Sequence, residues 1–397
     1  MGTPLATRRD SLKYQKFGNS DMVVSEVCAG TMTWGSFVDD EAESHRQLDK
    51  CWEMGVNFYD TAELYPVAWN YGKLTEKWIG HWLVKRLADG TIPSRDKIYI
   101  ATKINQGGTG GIGRPHAYES DIMEKCCRDS LERLQCSYID LYQLHWPTRD
   151  TPIFTSNHFH PDGKFRFGKF FDKGEPEAFE KQVLAVKNLL DKGLIKYWGL
   201  SNENCYGITM FCMACDKLGV PRPVSCQNDF SLVNRQYESD TWEAAYRFGV
   251  VGLPYGALAG GQLTGKYVSE KWAKNDVGRP VKDSRLVVKS DFQPRYNFPG
   301  ARASAEKYVK IAEKAGITPA ELALAWSKQR PCNANGAIIT GTTTVRQVEE
   351  CVNAFKVDLS DEVMDMCDVV HEEFRSPILF SNSREAVVEA PWLASRV

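Results

Sequence analysis

Apolar positions along this chain switch repeatedly between a spacing of two and a spacing of three to four. Short runs rich in β-branched and aromatic residues end in polar loops and give way to longer stretches with a helical apolar stripe. The spacing predicts strands over 27–29, 56–59, 97–104, 139–144, 195–200, 224–228, 250–255 and 336–340. Helices are predicted after them over 41–54, 72–87, 120–134, 177–192, 205–218, 239–248, 303–315 and 345–354. Eight strand–helix units favour an α/β fold in which a parallel sheet closes into a (β/α)8 TIM barrel with its helices outside.

Two decorations interrupt the alternation. Residues 12–24 read as an N-terminal β-hairpin turning at Gly18-Asn19-Ser20-Asp21, placed to plug the N-terminal mouth of the barrel. Thr318-Pro319-Ala320-Glu321 is a capping box with proline at the first helical position, so an additional helix runs from there to Gln329. Three segments, 105–118, 146–176 and 256–302, are too long for ordinary connections. All three follow strands, on the C-terminal face where such barrels carry their chemistry. The chain reads as one barrel domain over 1–397, with a core of roughly 12–370. The extension 376–397 has two open placements, across the barrel mouth or in a homo-oligomer interface.

Composition narrows the setting. The 397 residues are 43% hydrophobic, and the net charge of -2 comes from interspersed signs, which leaves no footprint for nucleic acid. The 12 cysteines lack the spacing of a disulfide framework and read as reduced thiols. Residues 1–11 have no apolar run behind their charges, and no stretch approaches the roughly 18 apolar residues of a membrane helix. A cytoplasmic protein with neither membrane nor nucleic-acid partners is expected.

The strand ends supply candidate chemistry. Asp60 closes the second barrel strand and Tyr65 follows it; Lys103 closes the third strand and His145 the fourth. A lysine at the end of an apolar strand is costly to bury unless paired, and Asp60 lies on the neighbouring strand. A cation beside a phenol favours the phenolate, so a lowered pKa is expected for Tyr65, suiting it to donate a proton near neutral pH. His145 is placed to hydrogen-bond a carbonyl oxygen or the phenol. Singly, each of these residues is as easily a cap or a packing group. Four complementary groups on three adjacent strands form a constellation.

These residues sit in stretches that resemble the aldo-keto reductase superfamily, and the chain is similar to its Tas-like branch. The matching segments are Gly30-Thr31-Met32-Thr33-Trp34-Gly35, Asp60-Thr61-Ala62-Glu63-Leu64-Tyr65, Tyr142-Gln143-Leu144-His145-Trp146-Pro147, Gly199-Leu200-Ser201-Asn202-Glu203 and Leu263-Thr264-Gly265-Lys266-Tyr267. The resemblance implies NADPH-dependent reduction of an aldehyde or ketone by the tetrad Asp60, Tyr65, Lys103 and His145. It places Ser201, Asn202 and Gln227 on the nicotinamide carboxamide and Tyr255 under the nicotinamide ring. Thr31, Gly256, Leu258, Gly260, Leu263 and Lys266 join the cofactor set, and Arg285 closes a loop over the pyrophosphate. Gly341, Thr342, Thr343, Arg346, Gln347 and Glu350 fall at the adenosine 2′-phosphate and adenine. Trp34 and Trp146 abut the tetrad and are expected as walls of a pocket for a small-molecule carbonyl substrate.

The chain departs from the family pattern in places. Gly256-Ala257 stands where Ser-Pro is frequent, Gln347 where some members have arginine, and Cys351 where an asparagine is common. Arg346 compensates for the missing arginine, so NADPH is favoured over NADH. The same superfamily includes β subunits of potassium channels, so the alternative is a non-catalytic NADPH-binding partner protein. A barrel lyase or isomerase using Lys103 as a Schiff base is a more remote reading.

Three signals are set aside. The G-x-G-x-x-G at 108–113 does not open directly into a helix, as a dinucleotide fingerprint should. Cys212 and Cys215 lie within one helix with no second pair, and His158 and His160 have no ligand pattern around them, so no metal is expected.

Overall fold

The computed structural model of the chain describes residues 4–68, 72–105, 118–152, 159, 172–274 and 281–378. Twelve strands occur among them: β1 (Ala6–Arg8), β2 (Tyr14–Lys16), β3 (Val23–Ser25), β4 (Val27–Gly30), β5 (Phe58–Asp60), β6 (Tyr99–Ile104), β7 (Ile139–Leu144), β8 (Ile195–Ser201), β9 (Ser225–Gln227), β10 (Val251–Gly252), β11 (Ile338–Gly341) and β12 (Val357–Leu359). Strands β4 to β11 form one parallel sheet in the order β10-β9-β8-β7-β6-β5-β4-β11. Its two edges meet where the Ile339 N–H donates to Pro254 O at 2.9 Å. This is the expected (β/α)8 barrel. Gly336 permits the close approach at this seam, since a Cβ there would lie 2.1 Å from Gly252 O.

Side chains alternate across the barrel wall with a period of two. Tyr59, Ile100, Ile104, Tyr142 and Leu144 face outward into the layer shared with the helices. Cys28, Phe58, Ala101, Leu141, Val224, Leu253 and Ile339 face inward and build a separate apolar floor. The β2–β3 hairpin closes that floor from below with Phe17, Met22 and Val24, and Phe17 meets Phe58 edge to face at 5.3 Å. The plug expected of this hairpin is present.

Helices Glu41–Glu53, Leu74–Ala88, Ser120–Leu134, Pro176–Asp191, Cys205–Leu218, Trp242–Phe248, Pro299–Lys314 and Val345–Ala354 follow the barrel strands. The capping box holds in both directions at Thr318 and Glu321, starting the additional helix Pro319–Gln329. Some boundaries differ from expectation. The strand predicted from residue 97 begins at Tyr99 because Arg95–Lys97 forms a 3-10 turn, and the strand predicted over 250–255 is only two residues long. The helix predicted from 239 starts at Trp242, after a wide turn over Tyr237–Thr241. Further elements are additional, among them β1 and β12, which pair antiparallel, and helix Asp361–Glu373, which packs on the outside. The G-x-G-x-x-G at 108–113, His158, His160 and the tail from 379 lie outside the described residues. Cys212 and Cys215 are buried thiols on one helix, and no disulfide joins any cysteine among the described residues.

Candidate active site

The inward column of each central strand changes from apolar to polar as it rises. Phe58 is followed by Asp60, Ala101 by Lys103, Leu141 by Gln143 and then His145. One period-two pattern therefore makes a floor below and a polar site above. Lys103 is fully buried and uses its three protons on Asp60 Oδ2 at 2.6 Å, Thr61 O at 2.8 Å and the Tyr65 hydroxyl at 3.4 Å. Burial works against the ammonium, but the charges and hydrogen bonds of Asp60 and Tyr65 together raise the Lys103 pKa above its ordinary value. The other carboxylate oxygen, Asp60 Oδ1, accepts from Gln143 Nε2 at 3.1 Å and Gln227 Nε2 at 2.9 Å. A buried ion pair is tolerated when its remaining valences are filled in this way.

Tyr65 and His145 face each other above the lysine. Their rings are edge to face with centroids 6.0 Å apart, and Trp146 stacks on His145 at 5.0 Å. The lowered pKa expected for Tyr65 is corrected by the structure. Burial pushes the phenol above its ordinary value, and the pull of Lys103 offsets this only in part. Burial and the Lys103 charge hold His145 well below the usual histidine range. Its Nδ1 is buried without a hydrogen-bond partner.

The residues expected around a nicotinamide converge beside this pair. Ser201 and Gln227 end β8 and β9, and the Ser201 hydroxyl donates to Gln227 O at 3.0 Å. Asn202 adopts a left-handed backbone, φ 57°, and its Nδ2 donates to His145 O at 2.9 Å. Tyr255 OH donates to Asn202 Oδ1 at 2.8 Å. Thr31 lies under Asp60, donating to its carbonyl oxygen through both N–H and hydroxyl.

Beyond Tyr255 the long segment is built of short turns. Gly256, Ala259, Gly260 and Gly261 all have positive φ, leaving a bare backbone shelf at Ala259–Thr264, with Leu258 at its start and Leu263 buried beneath. Lys266 lies beside this shelf. Arg285 stacks over Phe37 at 5.7 Å and donates to Gln293 at 3.2 Å, and it makes no ion pair among the described residues. Across the mouth, Gly341 is exposed and helix Val345–Ala354 begins. Thr343 donates to Gln347 Oε1 from both N–H and hydroxyl, and Arg346 is exposed, one helical turn before Glu350. Thr342 points inward instead, its buried hydroxyl donating to Gln47 at 2.9 Å.

Trp34 was expected as a pocket wall. It is buried in the core, with its indole N–H directed at Gln47 Oε1 at 3.3 Å, because its loop folds back under helix Glu41–Glu53. Trp146 remains partly exposed at the mouth, its N–H and carbonyl both bonded to the Tyr118 hydroxyl. Three further elements were not foreseen. Gln143 completes the Asp60 cage, and its position two residues before His145 was the available signal. Asp229 takes Arg295 at 3.0 Å and Tyr296 at 2.9 Å, tying the end of the long segment back to the strand ends. Arg149 and Glu203 form a bidentate pair at 2.9 and 2.8 Å, both buried. Nothing local in sequence links residues so far apart.

A parallel barrel with a caged lysine, a facing tyrosine and histidine, and polar groups over its strand ends defines an aldo-keto reductase architecture. The chain belongs to the Aldo/keto reductase family, which its residues 26–372 match. Among similar proteins, protein tas of Escherichia coli is 32% identical over 371 residues, covering 92% of this chain and 99% of that protein. The uncharacterized oxidoreductase YrpG of Bacillus subtilis is 29% identical over 89% of this chain and 94% of its own length. A probable voltage-gated potassium channel subunit beta of Arabidopsis thaliana is 28% identical, over 87% and 92%. Family membership supports an oxidoreductase acting on carbonyl groups. No helix among the described residues is long and apolar enough to cross a membrane.

Proposed function

We propose that this protein reduces aldehydes or ketones to alcohols with NADPH, Tyr65 supplying the proton. The observation that carries the reading is the Asp60–Lys103–Tyr65 relay beneath His145, with Ser201, Asn202 and Gln227 gathered beside it. The fit is chemical. Asn202, Ser201 and Gln227 present amide and hydroxyl groups that match a carboxamide. The positive-φ shelf at Gly260 and Gly261 lets backbone approach phosphates, and Arg285 and Lys266 offer cations there. Thr343 and Arg346 at a helix start favour the additional phosphate of NADPH.

The bound nicotinamide would supply hydride to the carbonyl carbon. Tyr65 holds a proton at neutral pH because burial keeps its pKa high, and a donor must be protonated when reaction begins. Lys103 then stabilises the phenolate left behind, across the 3.4 Å contact. Burial and the Lys103 charge keep His145 neutral, and in its Nε2–H tautomer the ring can donate to the substrate oxygen. Trp146 and Tyr118 border the approach. Buried thiols throughout the barrel support a cytoplasmic, reducing setting.

The test is NADPH oxidation followed at steady state with a panel of aliphatic and aromatic aldehydes. Turnover that requires NADPH, with NADH weaker, is expected. The similarity to a potassium channel subunit beta supports a second reading, a nucleotide-binding partner protein. Tight NADPH binding without turnover of any aldehyde, together with a stable complex with another protein, would replace the enzyme reading by that one.

A further inference from the structure

The segment carrying Ser201 and Asn202 turns through a left-handed residue, Asn202, and is held from two sides. From one side the restraint is the sheet: Asn202 N–H donates to Gln227 O at 2.9 Å. From the other side it is Glu203. Its carbonyl accepts from Asn228 Nδ2 at 2.7 Å, and its carboxylate takes both arms of Arg149. Arg149 Nη2 also reaches Asn204 Oδ1 at 3.0 Å, and that same oxygen caps helix Cys205–Leu218 through Gly207 N–H. One guanidinium therefore ties Glu203, next to Asn202, to the Asn204 cap of the following helix.

Arg149 comes from the strand-end loop after His145, so it also ties down the start of the long 146–176 segment. Its guanidinium lies between the Phe179 and Tyr206 rings, at 5.4 and 5.3 Å. The far end of the segment rests on it too: Tyr206 OH donates to Gly174 O at 2.6 Å, and a Cβ at Gly174 would lie 2.7 Å from Arg149 Cδ. Gly207 is required beneath, where a Cβ would approach Glu203 Oε2 to 1.8 Å. Two glycines, two rings and a bidentate fork all shape one contact.

We propose that Arg149 and Glu203 are a positioning pair, which holds Asn202 in its carboxamide-binding arrangement and sets both ends of the 146–176 segment against the nicotinamide pocket. The pair touches neither substrate nor cofactor. Its role rests on the NADPH reading above. A pair kept only for stability predicts that replacing both charges by apolar groups of similar volume is harmless to ligand binding, since buried pairs are often dispensable in that way. A positioning pair predicts a loss of cofactor affinity that refilling the volume cannot restore.

The experiment compares wild type, Arg149→Met/Glu203→Met, and Arg95→Met/Asp140→Met. The last is a control pair at 2.6 Å, with Asp140 buried and Arg95 partly exposed, at the other end of the barrel where β6 and β7 begin. NADPH dissociation constants are measured by fluorescence titration, with kcat, cofactor KM and melting temperature alongside. For the Arg149/Glu203 variant, Kd and cofactor KM should rise on the order of tenfold, and kcat at saturating NADPH should stay within about threefold. The control variant should bind NADPH like wild type at a similar melting temperature. Equal affinity in all three proteins overturns the positioning role and leaves the enzyme reading standing, whereas absence of NADPH binding by wild type overturns both. If the double variant does not fold, Arg149→Lys, which keeps the charge but loses the fork, serves the same comparison.

Discussion

The Tyr255 hydroxyl donates to Asn202 Oδ1 at 2.8 Å, joining the ring expected beneath a nicotinamide to the amide expected to hold its carboxamide. Platform and pocket are one hydrogen-bonded unit. Tyr255→Phe keeps the ring and removes the link. A bond of this kind contributes about 0.5–1.5 kcal/mol, so the NADPH Kd should rise roughly 2- to 10-fold. Fluorescence titration reads this directly, and an unchanged Kd would show that the link is incidental.

Tyr65→Phe isolates the proton. It deletes one hydroxyl that accepts from Lys103 at 3.4 Å and leaves the Asp60–Lys103 pair intact. The expected loss in kcat for carbonyl reduction is about 10²- to 10⁴-fold, the usual worth of a positioned acid. NADPH affinity should stay within about twofold, because the phenol is not in the set proposed to hold the cofactor. Retained turnover in this variant would falsify the role given to Tyr65.

The acid–base state of the site has two consequences for pH. With Tyr65 raised above the ordinary value of 10.0, the alkaline fall of kcat/KM for reduction belongs near or above that pH and not near neutrality. His145 works in the opposite range. Its folded pKa lies well below the unfolded value of 6.5, so below that value the unfolded chain takes up a proton that the folded ring refuses. Stability from this group is complete above pH 6.5 and declines as pH drops toward the folded pKa. Melting temperatures recorded from pH 8 down to 5 should show that decline, and His145→Gln should flatten part of it.

Gly256→Ala probes the turn that launches the cofactor shelf. The residue has φ 76°, and a Cβ would stand 2.6 Å from the Tyr296 hydroxyl and 2.7 Å from Asp229 Oδ1. Backbone strain and overpacking each cost about 1–3 kcal/mol, so a melting temperature several degrees lower is expected. Cofactor affinity should fall with it as the shelf is displaced. An alanine variant as stable as wild type would mean that the Asp229–Arg295–Tyr296 contact yields freely.

Much of the architecture was legible because it depends on local periodicity. The alternation that placed Ile100 outside and Lys103 inside is written within six residues, and the capping box at Thr318 is contained within four. The meeting of Asp60, Lys103, Tyr65 and His145 followed once adjacent parallel strands were assumed. What escaped depends on contacts between distant segments. The Arg149–Glu203 and Asp229–Arg295 pairs have no periodic signal, because each joins a loop to another loop. The burial of Trp34 against Gln47 escaped for a related reason: proximity to a motif in sequence says nothing about which way its loop folds. The Tyr65 pKa went the other way because the lysine was visible in the sequence and the depth of burial was not.

The bond between Ile339 and Pro254 bears on how this barrel assembles and breathes. Strands β6, β7 and β8 form a broad ladder of neighbours in sequence, while the first barrel strand waits for a partner from the far end; Thr33 and Thr342, which bond beside it, are 309 positions apart. Contacts of such span are slow to form, so β11 joins late, to β4 across that span and to the β10 edge through Ile339. The seam is therefore the side of the cylinder that should exchange its amide hydrogens first. Asp60, Lys103 and His145 stand on the opposite, early-formed side, whereas Tyr255 and the Thr342–Arg346 turn flank the seam. A transient parting there would loosen the grip on a long ligand at two points while the proton-transfer groups keep their places.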